Sequence, residues 1–224
     1  MGDQHLKASS NSVQAKPNLR AAQKTQTRRL ILDTSLRLFQ DVGFYGTTVD
    51  RIAGEIGCSR AAFYLHFPDK EAVLHALILA YLARAVEQLA RLPGPFPTRD
   101  EIDRWMEELV EFFKREHASV TVFATIGSMR PDMPQFLESS SQTLTDALGR
   151  NIPAFASGSL RANQEVERRV AADSLIVQIT WAGRSAAHRT DKAYGEAALN
   201  HAASALFNFI HDPRFTKNKR RPKT

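Results

Sequence analysis

The residues whose types and spacing are most specific lie in one stretch, TTVDRIAGEIGCSRAAFYLHFPDKEAV, residues 47–73. Two short helical patterns flank Gly57-Cys58-Ser59, with the length and turn of a helix-turn-helix. Thr48 is a good N-cap for the first, whose inward face is Val49, Ile52, Ala53 and Ile56. Gly57 lets the chain reverse sharply through a positive φ. Ser59 caps the second, which presents Arg60, Ala61, Ala62 and Tyr64 and is too short to be stable without neighbours. Such a helix fits a DNA major groove, about 12 Å wide. The chemistry is therefore recognition, not bond-making. No Gly-rich phosphate loop or nucleophile elbow occurs, and the seven histidines show no HExxH spacing. Glu107, Glu108 and Glu111 fall on a polar helix face and read as solvated. The expectation is a non-enzyme with no metal and no cofactor.

The stretch resembles the signature of the TetR family of bacterial transcriptional regulators. The matching residues are Thr48, Val49, Ile52, Ala53, Gly57, Ser59, Phe63, Tyr64, His66, Phe67 and Lys70. With the preceding helix, the resemblance covers about residues 25–85; beyond residue 90 only length and helix count are similar. Cys58 stands where the family usually has an aliphatic residue, and Ala61 where Gly is common. The resemblance implies that Thr48, Tyr64, His66 and Lys70 contact phosphates. It makes Arg60 and Ala61 the base-edge candidates beside the cap Ser59, with Arg60 able to reach guanine. Arg28, with Arg29 and Lys24, would follow the backbone or enter the minor groove.

The elements that must position these groups read as all-α, about nine helices, in four segments. Residues 1–23 are polar and read as a disordered basic arm. Residues 24–70 form the helix-turn-helix domain, preceded by an amphipathic helix on Ile31, Leu32, Leu36, Leu38 and Phe39 that ends at Gly43. Asp69 caps a long linking helix from Lys70 to about Leu92. Residues 71–212 form a ligand-binding and dimerisation domain, and 213–224 a basic tail. Within the body, Thr98 and Glu101 read as a capping box. Residues 118–129 carry β-branched types but read as helix, since no strand exists to pair with them. Helices then follow over about 135–150, 163–188 and 191–210.

Composition and charge bound the rest. The chain is 43% apolar and 24% charged, as in ordinary globular proteins. Residues 1–70 hold 10 Lys and Arg against 6 Asp and Glu, a net +4, whereas 71–210 hold 14 against 17, a net −3. A basic module on an acidic body suits a polyanion partner. The longest apolar-rich stretch, Ala72 to Ala83, reads as too short to span a bilayer, and no signal peptide is evident. The single cysteine, Cys58, suits a reducing cytoplasm. In the body, Trp105, Leu109, Phe112, Phe113, Phe123, Ile126 and Phe136 either fill a core or line an apolar cavity, with Gln178 and Trp181 nearby candidates. Small and apolar residues over 171–187 and 197–210 suit a homodimer built from the last two helices. The reading is a ligand-responsive homodimeric repressor on a pseudo-palindromic operator, released by an apolar or amphipathic small molecule. An activator on the same fold, or an all-α carrier or enzyme that does not bind DNA, are the alternatives.

Overall fold

The computed structural model describes residues 19–127, 133–158 and 160–216, and all regular structure there is helical. The helices are α1 (Leu19–Asp41), α2 (Val49–Glu55), α3 (Arg60–Tyr64), α4 (Lys70–Leu89), α5 (Arg99–Arg115), α6 (His117–Gly127), α7 (Met133–Gly149), α8 (Ala162–His188) and α9 (Lys192–Ile210). A single 3₁₀ turn, Pro153–Phe155, follows α7.

Local chemistry sets the boundaries. Thr48, Ser59, Asp69, Thr98 and Asp191 are N-caps whose side chains accept a backbone N–H in the first turn. The Thr98 box is reciprocal, with Glu101 reaching back to the Thr98 N–H at 2.7 Å. Gly43 and Gly57 end helical stretches at φ +82° and +70°, where a side chain would be strained.

Two apolar cores divide the molecule. The N-terminal core joins Ile31, Leu38 and Phe39 of α1, Ile52 of α2, Phe63 of α3, and Val73, Leu74 and Ile78 of α4. It also takes Val122 from α6. The larger core gathers Trp105, Leu109 and Phe113 of α5, Ile176 and Ile179 of α8, and Leu206 and Ile210 of α9. Helices α4 and α6 are shared. α4 gives Ala85 and Leu89 to the second core, and α6 gives Val120. By length and composition alone, α4 is apolar enough to cross a membrane. Its service to two cores accounts for that apolarity. The N-terminal core therefore takes in residues beyond the expected boundary at residue 70.

Helices α8 and α9 form a hairpin across a three-residue connection. Their backbones approach closely: a Cβ on Gly195 would lie 2.9 Å from Ala186 Cα. On Gly183 it would lie 2.7 Å from the Phe113 ring, so α5 and α8 also need a small residue.

Three boundaries differ from expectation. α1 starts at Leu19, inside the segment assigned to a disordered arm, and residues 1–18 lie outside the described residues. The tail expected from residue 213 is folded through Thr216, with Phe215 buried against Phe209 at 5.3 Å. Arg214 meets Asp212 at 2.7 Å and Glu167 at 2.8 Å, and residues 217–224 lie outside the described residues. α4 ends at Leu89 rather than near Leu92.

Candidate nucleic-acid interface

The helix-turn-helix is held from beneath by aromatic anchors. Phe63 and Phe67 are fully or almost fully buried, and they fix the five-residue α3 against the domain. At the turn, the Cys58 N–H donates to the Ala53 carbonyl at 2.9 Å. The loop before α2 is fastened just as firmly. The buried Thr47 hydroxyl donates to the Gly43 carbonyl at 2.9 Å. Lys70 Nζ donates to the carbonyls of Phe44 at 2.9 Å and Thr47 at 3.0 Å, and lies 4.5 Å from the Phe44 ring centroid. With that scaffold in place, the outward groups are Thr48, Ser59, Arg60, Ala61 and Tyr64, all exposed. Leu65 joins them with 78% exposure, the largest value for a bulky apolar side chain among the described residues.

Each polar group on this face is partly engaged and keeps donor capacity. Thr48 Oγ1 accepts from the Arg51 N–H at 3.2 Å, and Ser59 Oγ from the Ala62 N–H at 3.1 Å. Their hydroxyl protons remain free to donate. Arg60 donates to Asp50 Oδ2 at 3.1 Å and to the Tyr64 hydroxyl at 3.4 Å. The Tyr64 hydroxyl and the Asp50 carboxylate both raise the Arg60 pKa. His66 is half-buried, with Nδ1 enclosed and unpartnered. Burial lowers its pKa, helped by Lys24 and Arg28. Arg28 reaches across from α1, donating to the His66 carbonyl at 3.0 Å and covering the Phe67 ring at 4.1 Å.

The structure brings Thr48, Ser59, Arg60, Ala61 and Tyr64 onto one exposed surface, with His66 at its edge. Lys70 and Arg28 are also engaged inside the domain. Lys70 spends two of its three N–H donors on carbonyls inside the domain. Arg28 braces the end of α3. Asp50 was missed: it lies ten residues from Arg60 in sequence, at a spacing that signals nothing until the turn folds.

Among the described residues, the expected ligand-site side chains fall in separate parts of the fold. Trp105, Leu109, Phe112 and Phe113 are all at most 5% exposed and pack the large core, where Trp105 Nε1 donates to the Gln88 carbonyl at 3.3 Å. Phe123 belongs to the N-terminal core, 6.2 Å from Tyr81. The cleft it lines with Leu36, Leu77 and Ser119 is about 10 Å³, room for a single water at most. Gln178 is half-buried on α8, and Trp181 is 42% exposed, packed on Tyr194. The side chains of Ile126 and Phe136 lie outside the described residues. A groove of about 910 Å³ beside α5 has charged walls including Arg104, Glu107, Glu111 and Lys192. No grouping of three or more metal-ligating side chains occurs among the described residues.

The fold and this surface define a helical helix-turn-helix protein. Residues 31–77 match the model for bacterial regulatory proteins of the tetR family. The chain is 28% identical over 158 residues to an uncharacterized HTH-type transcriptional regulator, YerO of Bacillus subtilis, covering 68% of this chain and 53% of YerO. It is 29% identical over 135 residues to the HTH-type transcriptional regulator UidR of Escherichia coli, covering 58% of this chain and 66% of UidR. The tetracycline repressor protein class C of Escherichia coli is 42% identical over 55 residues, 25% of each chain. The chain thus matches about half to two thirds of YerO and UidR. Among solved structures, Salmonella enterica GusR aligns at a TM-score of 0.60 and 22% identity over 81% of this chain and 95% of GusR. A tetR-family regulatory protein from Rhodococcus RHA1 aligns at 0.60 and 15% identity, over 81% and 97%. Residues 31–77 thus carry the helix-turn-helix domain of the tetR family of bacterial regulatory proteins, and the chain as a whole shares its fold with solved proteins of that family.

Proposed function

We propose that the protein is a cytoplasmic, homodimeric transcriptional repressor that binds a pseudo-palindromic DNA operator and is released by an apolar or amphipathic small molecule. The observation that carries DNA binding is the exposed face of Thr48, Ser59, Arg60, Ala61 and Tyr64, held rigidly by buried Phe63 and Phe67. Thr48, Ser59, Tyr64 and the Nε2 edge of His66 contact phosphates. Arg60 and Ala61 face the base edges. Lys70 contributes chiefly by fixing the loop before α2, with one N–H left for a phosphate. Repression rests on the resemblance over 55 residues to a named repressor, the tetracycline repressor protein class C.

The dimer reading rests on α8. Val166, Val170, Val177 and Trp181 are 66%, 61%, 65% and 42% exposed and recur at spacings of four and seven, so they form one apolar stripe. Two such helices, each with its α9, make a four-helix bundle. The pair sets two recognition helices for half-sites about 34 Å apart. Signal transfer uses α4, which belongs to both cores. A gel shift with a mixed-sequence duplex tests the reading. A salt-sensitive shift is expected, and no shift at low salt overturns it. Light scattering is expected to report a dimer.

A further inference from the structure

We infer that Asp50 is a positioning residue for base readout: it holds the Arg60 guanidinium in one pose so that Arg60 discriminates guanine rather than docking on phosphate. The inference rests on the DNA-binding reading above.

An exposed carboxylate on a surface that meets a polyanion is electrostatically unfavourable, so its presence needs a reason. Fold stability is a poor one. The Asp50–Arg60 side chains are 62% and 60% exposed, and such pairs contribute little to folding. The pair instead bridges the two arms of the motif, from the first turn of α2 to the first residue of α3. Tyr64, one turn along α3, holds the other end of the same guanidinium. Arg60 is thereby tethered at both terminal nitrogens.

Counting donors shows what remains. A guanidinium carries five N–H groups in a rigid plane. Asp50 takes one and Tyr64 another, leaving three, and a bidentate contact to guanine O6 and N7 needs two. A free arginine side chain must order several rotamers on binding, and its full charge attracts any phosphate. The tether removes much of that freedom before DNA arrives, and the carboxylate offsets the charge. Attraction to the uniform backbone falls, while geometric selection at one base rises. The same carboxylate stabilises the first turn of α2, so the test must separate a helix effect from a readout effect.

The experiment is selection of bound duplexes from a random pool. It uses full-length wild type, Arg60→Ala, Asp50→Asn and the double variant, followed by competition titrations on the enriched site. Wild type is expected to enrich a guanine in each half-site. Arg60→Ala loses that preference by about 5- to 100-fold, the range of one good bidentate contact. Asp50→Asn loses preference at the same position and no other, and binds random duplex more tightly. In the Arg60→Ala background, Asp50→Asn changes the preference no further. The inference is overturned if Asp50→Asn keeps the wild-type preference, or if it weakens all positions equally, as a damaged helix would. Failure of wild type to bind any duplex overturns the DNA-binding reading itself, a distinct result.

Discussion

At the scale of single residues, charge count and charge function separate. Lys70 reads from sequence as a phosphate contact, yet its ammonium sits on the Phe44 and Thr47 carbonyls. Lys70→Met keeps the stem and removes the donors. It is expected to lower domain stability by about 1.5–3 kcal/mol, the scale of hydrogen bonds to a charged group. Urea unfolding of the variant checks this; unchanged stability restores the plain phosphate role. His66 carries a pH effect. Its folded pKa lies below the ordinary 6.5, chiefly through burial, so the unfolded chain takes up the proton at higher pH. Stability is therefore full above about pH 6.5 and declines as pH falls through the folded value. His188 has the same sign, lowered by burial and by His117. Melting curves between about pH 7.5 and 5 should show the decline, and His66→Gln should flatten it. An equal slope in the variant excludes His66 as a source.

At the scale of elements, legibility followed apolar periodicity and caps. The helix-turn-helix, the Thr98–Glu101 box and the positive φ at Gly57 were readable because each depends on residues within a few positions. α6 was readable as helix only by elimination. The first turns of α1 were not readable: Leu19 to Arg29 are almost entirely exposed and carry no apolar stripe. The Asp50–Arg60 bridge and the Lys70 carbonyl contacts were illegible for another reason. They join residues 10 to 26 apart through a turn whose geometry sequence does not state. Gly57 permits a clean test of that turn. An added Cβ meets nothing within 4 Å, so Gly57→Ala tests backbone strain alone. A loss of about 1–2 kcal/mol is expected from forcing alanine to φ +70°. Chemical denaturation measures it, and no loss means that the turn relaxes.

At the scale of the whole molecule, the two cores are joined by particular contacts. Tyr81 of α4 stacks on Phe112 at 6.1 Å and meets Phe123 at 6.2 Å, so one ring touches both cores. Its burial pushes the phenol up to about 12. One turn on, Arg84 forks onto Glu116 at 2.6 and 2.7 Å, clamping α4 to the α5–α6 junction. These contacts couple α4 to both α5 and α6. On this account, the body reports to the reading surface through two shared helices. If the proposed dimer forms through the α8 stripe, Val170→Asp with Val177→Asp should convert dimer to monomer in light scattering while leaving helicity intact. Retained dimers would move the interface elsewhere.

The central claim is that the α2–α3 face binds duplex DNA through a small set of phosphate contacts. A fluorescence-anisotropy titration of a labelled duplex across salt concentration measures it most directly. The logarithm of the affinity is expected to fall linearly with log salt concentration, with a slope of about 0.9 per phosphate contacted. Tyr64→Ala is expected to bind about 5- to 30-fold more weakly at each salt. Salt-independent binding, or a Tyr64→Ala protein that binds as tightly as wild type, would contradict the claim.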